Sequence, residues 1–204
     1  MKRALYQEGR FLTIPRASHA FDKLMIPFTK PRLAILETQR LRLTPLEARD
    51  ADDIFPLMDD PEVMAYWEAR ESDDPEIVAE LVRAQVAEMA DGRAIYWGIR
   101  RIADAALVGC CDLSQIERRH GRAEVGFMLG RGVGEEGYAR EAMQAMIAYA
   151  ATSGLKRLSA RTYLGERRSE MLLAELGFLE EGLLRGHLLR DGERRDCRLF
   201  GLLL

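Results

Sequence analysis

The stretch from Glu124 to Gly154, EVGFMLGRGVGEEGYAREAMQAMIAYAATSG, limits what the chain can fold into more than any other. Val125, Phe127 and Leu129 fall on alternate positions, the spacing of a half-buried strand. Gly130, Gly132, Gly134 and Gly137 then interrupt every regular period. From Tyr138 the period becomes that of an amphipathic helix. Ala139, Ala142, Met143, Met146, Ile147 and Ala150 form one stripe, and Gly154 supplies the stop. Such a succession places unpaired N–H groups and the positive end of a helix dipole beside backbone that a ligand can approach closely. A phosphate or pyrophosphate suits that site. The same glycines also serve a plain tight turn, and alone they do not separate the two readings.

The rest of the chain alternates strands and helices around this unit. Leu36 to Leu43 reads as a strand ended by Pro45, and Glu47 to Met58 as a helix through Ala51, Ile54, Phe55 and Met58. Asp59-Asp60-Pro61 breaks it. A second clear helix starts at Pro75, a residue suited to a first helical turn, and carries Ile77, Leu81, Ala84, Val86 and Met89. Ile95 to Arg101 and Leu107 to Leu113 read as a hairpin with Asp104 in its joint. Strand Lys156 to Tyr163 makes the central unit a parallel βαβ crossover. A last helix, Arg167 to Leu176, ends on Gly177 in the left-handed cap position, with Phe178 as the contact after it. Leu183 to Leu189 and Asp196 to Leu204 pair through Asp191-Gly192.

Gly137-Tyr138-Ala139-Arg140-Glu141-Ala142 resembles the helix start of the GNAT superfamily of N-acetyltransferases, in the branch of the ribosomal-protein alanine N-acetyltransferases. The resemblance extends to Leu36-Glu37-Thr38-Gln39-Arg40-Leu41-Arg42-Leu43 and to Asp60-Pro61-Glu62-Val63. It continues through Ser169, Leu176-Gly177-Phe178 and Glu181-Gly182. It implies an α+β fold for residues 35–204: a central mixed, mostly antiparallel sheet with a splayed parallel strand pair and flanking helices. It also implies an acetyl-CoA-dependent transfer to a primary amine, either a protein N-terminus or a small amine, by direct attack in a ternary complex. Acetyl-CoA is the co-substrate, and no metal is expected.

Acyl transfer to an amine needs hydrogen-bond donors where charge develops on the thioester oxygen, a sink for the amine proton, and help for the departing thiolate. The resemblance assigns the donors to the backbone around Phe127, Met128 and Leu129. It assigns the coenzyme's pyrophosphate to Gly132, Val133, Gly134, Gly137, Tyr138 and Ala139. Glu124 is then the base acting through water, and its plain reading is a glutamate paired with Arg122 or with Arg118 and Arg119. Ser169 is the acid beside the coenzyme, with helix-start capping as its plain reading. The Tyr66-Trp67 pair borders the acceptor site and otherwise reads as core.

Two departures stand out. Aligned on Gly137-x-Ala139, the family's loop motif begins at Gly134 where Gln or Arg is usual, and Glu135 and Glu136 stand where glycine and a basic residue are expected. Glu166 stands where Asn is common, and Leu173 where many relatives carry a Tyr. A non-catalytic, coenzyme-binding or regulatory member of the same fold is the alternative those departures support. A glycine-loop phosphate binder of another class is the third reading, against which the order of elements argues.

Composition narrows the setting. The net charge of −3 provides no global field for nucleic acid, and no apolar run reaches the roughly 18 residues of a membrane span. Cys110, Cys111 and Cys197 lack metal-ligand spacing, and the three histidines are scattered, which fits a reducing cytoplasm. Residues 1–34 form an extension the resemblance does not cover. Met1 to Arg32 holds seven basic residues against two acidic ones, with Phe11, Ile14, Phe21 and Phe28 among its apolar residues. The expectation is a segment that packs on the domain or on a second subunit of a homodimer.

Overall fold

The computed structural model describes residues 33–67, 69–133 and 136–204. The expected arm over Met1 to Arg32 lies outside them, as do Gly134 and Glu135. Eight strands form one sheet: β1 (Leu36–Glu37), β2 (Leu41–Pro45), β3 (Ile95–Arg101), β4 (Leu107–Glu117), β5 (Arg122–Leu129), β6 (Arg157–Tyr163), β7 (Leu179–Arg190) and β8 (Glu193–Leu203). Their order across the sheet is β1-β2-β3-β4-β5-β6-β8-β7. Every neighbouring pair is antiparallel except β5 and β6, which are parallel. The helices are α1 (Ala51–Met58), α2 (Pro61–Met64), α3 (Pro75–Asp91), α4 (Tyr138–Thr152) and α5 (Arg167–Glu175), with one 3₁₀ turn at Ala48–Asp50. This is the expected mixed, mostly antiparallel α+β architecture.

Local chemistry sets the boundaries. α3 begins where the Asp74 side chain accepts from the Glu76 N–H, with Pro75 in the first turn, and ends on Gly92 in the left-handed conformation. Gly137, at φ 77°, turns the chain from the glycine loop into α4. The turn between β7 and β8 places Asp191 and Gly192 at φ 56° and 80°, as a tight two-residue hairpin requires.

Three expectations shift. The first strand is two strands, because Thr38 turns the chain and its hydroxyl bonds the Leu41 carbonyl. In α3 the inward residues are Val78, Val82 and Met89, while Ile77 is 54% exposed. A helix apolar on several faces does not announce which one the fold will choose. The final hairpin is longer than its alternation suggests. Register shifts at Glu180/Gly182 and Leu184/Leu188 let the ladder continue where the period-2 pattern breaks.

The core runs through both faces of the sheet. Trp97 on β3 is fully buried and meets Tyr149 of α4 edge-on, with ring centroids 5.4 Å apart. Its neighbour Tyr96 donates its hydroxyl to Glu88 Oε2 of α3 at 2.7 Å. Successive strand residues point to opposite faces, so α4 and α3 cover opposite sides of the sheet.

Candidate active site

β5 and β6 run together for three register pairs, Arg122↔Arg157, Ala123↔Leu158 and Glu124↔Ser159, and pairing stops there. β5 continues to Leu129 along β4. The Gly130 N–H bonds the Val108 carbonyl at 2.9 Å, and polar groups in an antiparallel ladder alternate sides. Gly126 and Met128 therefore turn their amides to β4, while Phe127 and Leu129 turn theirs to the gap beside β6. A cleft of about 1180 Å³ opens there, lined on one wall by Glu124 to Gly132 and on the other by Ala160 to Tyr163, Glu166 and Ser169.

Carboxylates gather on the face of the sheet that α3 covers. Asp112 pairs with Tyr96 across β3–β4 and with Gly126 across β4–β5, and Ser114 pairs with Glu124. Asp112 and Glu124 are thus diagonal neighbours on one face. Asp112 is 8% exposed. A Cβ on Gly126 would sit 2.5 Å from Asp112 Oδ1, so the absent side chain is what lets the carboxyl lie over β5. Burial pushes the Asp112 carboxyl up to about 7. The Glu124 and Glu88 charges add to the rise, and a hydrogen bond with Ser114 opposes it. Burial and the bond to Glu88 likewise raise the Tyr96 phenol well above its usual range.

Glu124 is partly buried and held by a fork. Arg161 donates to its Oε1 from Nε at 2.7 Å and from Nη2 at 2.6 Å. Arg161 Nη1 also lies 2.6 Å from His187 Nε2. The partners named from sequence are placed differently: Arg122 is tied to Glu117. Cross-strand pairing through the parallel β5–β6 register supplied Arg161 instead.

At the glycine turn, Gly132 and Gly137 take positive φ, and Tyr138 packs under the Arg40 guanidinium, 4.6 Å from the ring centroid. Glu141 in the first turn of α4 accepts from Thr38 Oγ1 at 2.6 Å and from the Arg40 N–H at 2.8 Å, which ties the helix start to the β1–β2 turn. Arg131 forks onto Asp60 at 3.1 and 2.7 Å. At the start of α5 the Glu166 carboxylate caps the Ser169 N–H at 2.7 Å. The capping role is therefore filled by Glu166, and Ser169 lines the cleft.

Another wall of the cleft is formed by the segment after α2. Tyr66 is 59% exposed, Trp67 is half-buried and packs against the core, and both line the cleft. Arg190, at the end of β7 and 8% exposed, donates to the carbonyls of Met64 and Trp67, each at 2.7 Å. Tyr163 donates to the Trp67 carbonyl at 3.1 Å.

Phe127, Met128, Leu129, Gly132, Glu124, Ser169, Tyr66 and Trp67 thus come to one cleft. Gly137, Tyr138 and Ala139 sit at the helix start beyond the loop. Asp112 and Arg190 were not picked out from sequence. The signal for Asp112 was a single acid inside the apolar run Leu107 to Leu113. The adjacent thiols are poor nucleophiles: burial pushes Cys110 up to about 12 and Cys111 well above its usual range. Among the described residues, no cluster of His, Cys, Asp and Glu is placed to hold a metal ion. No helix there is long and apolar enough to cross a membrane.

A splayed parallel pair whose next amides face the gap, a glycine turn opening a helix, and carboxylates along the cleft make up the candidate site. The family model described as acetyltransferase (GNAT) domain matches residues 40–179, and the chain belongs to that family of N-acetyltransferases. It is 33% identical to the "Uncharacterized N-acetyltransferase p20" of Bacillus licheniformis, over 82% of this chain and 95% of that protein. It is also 33% identical to the [ribosomal protein uS5]-alanine N-acetyltransferase of Escherichia coli, over 54% of this chain and 58% of that one. The structure of Mycobacterium smegmatis RimJ in complex with CoA-disulfide superposes with a TM-score of 0.75. It covers 85% of this chain and 88% of that one at 23% identity. The branch suggested by the sequence is thus represented among its relatives.

Proposed function

We propose that the chain transfers the acetyl group of acetyl-CoA to a primary amine, a protein N-terminus or a small amine, by direct attack in a ternary complex. The observation that carries the proposal is the end of β5–β6 pairing at Glu124↔Ser159, which leaves the Phe127 and Leu129 amides facing a cleft that also holds Glu124 and Asp112. Free amides beside the reacting carbonyl stabilise the charge that grows on its oxygen. The fit to coenzyme A rests on those amides, on positive-φ glycines at 132 and 137, and on the N-terminus of α4, where Gly137, Tyr138 and Ala139 are the proposed pyrophosphate contacts. Gly134, outside the described residues, belongs to the same loop in this reading.

Glu124 receives the ammonium group of the acceptor and helps move its proton through water. Ser169 donates toward the departing thiolate, and Tyr66 with Trp67 walls the acceptor. Three cysteines without metal-ligand spacing in the sequence fit an enzyme of the reducing cytoplasm. The full chain, supplied with acetyl-CoA and a panel of amines and N-terminal peptides, should release free thiol only with certain acceptors. A protein that binds coenzyme A by calorimetry yet acetylates none of them would be the non-catalytic member instead. Glu124→Gln should lower kcat roughly 10²-fold with little change in KM for acetyl-CoA. A kcat within about twofold of wild type would remove Glu124 from the proton path.

The extension at 1–34 is proposed to pack on the domain or across a homodimer. Truncation of residues 1–32 should lower either the number of chains per particle seen by light scattering or the melting temperature. If neither changes, the segment packs on nothing.

A further inference from the structure

We infer that Asp112 is the residue that takes the proton of the acceptor amine, with Glu124 holding the ammonium and the intervening water in place. The inference deepens the proposed reaction and rests on it. Three features of the geometry carry it. Asp112 lies diagonal to Glu124 on one sheet face, it lines the cleft, and its carboxyl lies over Gly126, beside the point where β5 parts from β6. Arg161 donates twice to Glu124 Oε1, which fixes that carboxylate beside Asp112. Asp112 faces Tyr96 from β3, Glu88 from α3, Ser114 and Cys110 on its own strand, and Glu124 on β5, while the Cys111 thiol turns to the opposite face. The charged neighbours among these, Glu88 and Glu124, are anions, each paired with an arginine of the same cleft, Arg93 and Arg161. A carboxylate in that company has a high affinity for a proton, and its value near neutrality suits a base working at neutral pH.

The balance is simple. The ammonium R–NH3+ gives one proton through water to the Asp112 carboxylate. The neutral amine nitrogen then forms the C–N bond to the acetyl carbonyl as the C–S bond breaks. The second nitrogen proton passes through the Ser169 hydroxyl to the thiolate sulfur. Asp112 afterwards returns its proton to solvent through the open cleft, leaving amide, free thiol and one proton released.

The test is kcat measured from about pH 5.5 to 9.5 for the full-length protein and the variants Asp112→Asn and Glu124→Gln, with two amines of different basicity. The amine's own ionisation moves with the amine, whereas the limb belonging to Asp112 does not. Wild type should show a limb near neutrality, with activity rising as Asp112 ionises. Asp112→Asn should lose about 10²-fold in kcat and lose that limb, with coenzyme A binding unchanged by calorimetry. Glu124→Gln should keep the limb but move it to lower pH, because one of the anions raising Asp112 is gone. An Asp112→Asn variant within about threefold of wild type, or one that retains the limb, overturns the inference while acetyl transfer stands. So does a limb left in place by Glu124→Gln. If wild type acetylates no amine of the panel, the proposed reaction falls and this assignment falls with it.

Discussion

Arg190→Met should lower stability by about 2–5 kcal/mol and raise KM for the acceptor amine well above wild type, while coenzyme binding changes little. Arg190 is buried at the end of β7 and feeds three backbone carbonyls: Met64 and Trp67 at 2.7 Å, and Ala69 at 3.5 Å. Its Nη2 also lies 3.4 Å from Glu71 Oε2. One guanidinium thus supports the loop from the end of α2 to Glu71, and that loop carries Tyr66 and Trp67. Methionine has a similar length and no donor. The Trp67 carbonyl would keep its bond from Tyr163, and the Met64 carbonyl its bond from the Trp67 N–H. Each of those two carbonyls would still lose a charge-assisted bond worth about 1–3 kcal/mol, whereas Ala69 and Glu71 are exposed and turn to water. For a chain of this size that corresponds to roughly 5–15 °C in melting temperature. Arg190→Lys should fall between the two, because an ammonium cannot spread its donors over a planar fork. A melting temperature within about 2 °C of wild type, with an unchanged KM for the amine, would show that the loop holds itself.

Much of this architecture could be read before any coordinate. The strand, glycine turn and helix from Glu124 to Gly154 fold as their periods indicate, and signals such as Pro75 and Gly177 mark real ends. These are local signals, set by neighbours in sequence. What was not legible depends on register. That Arg161 would hold Glu124 follows from the parallel pairing of β5 with β6. That Asp112 would sit beside Glu124 follows from the antiparallel pairing of β4 with β5. A one-residue slip would send Asp112 to the other face, and nothing in LVGCCDLSQ states which face is polar. Arg190 is further removed, since its carbonyl partners lie more than 120 residues earlier in the chain. Glu166 shows the same limit within one turn: the departure from the family's Asn is a helix cap here, a role its position before α5 permitted.

Asp112→Asn should stabilise the protein at pH 8 while lowering its kcat about 10²-fold. The folded chain raises the Asp112 carboxyl from the ordinary carboxylate range near 4 to about 7, through burial first and then the Glu124 and Glu88 charges. Between those values the folded state holds a proton that the unfolded chain has released. Stability from this group is therefore fully present below about pH 4, falls as pH rises through the window, and levels off above about 7. About three pH units at 1.4 kcal/mol each set an upper bound of about 4 kcal/mol for the penalty of keeping Asp112 charged in the fold. Asparagine has nearly the same shape and no charge to desolvate, so the penalty disappears. The expected gain is roughly 2–4 kcal/mol at pH 8 and close to nothing at pH 4. Other titrating groups are common to both proteins and cancel when the two stability curves are subtracted. Denaturant unfolding of wild type and Asp112→Asn at pH 4, 6 and 8 reads the difference directly. Parallel curves would mean that Asp112 titrates as an ordinary surface carboxylate, and the proton-acceptor assignment would lose its physical basis. A difference that opens with rising pH would show that the fold spends stability to keep a base at the break between β5 and β6, as active sites commonly do.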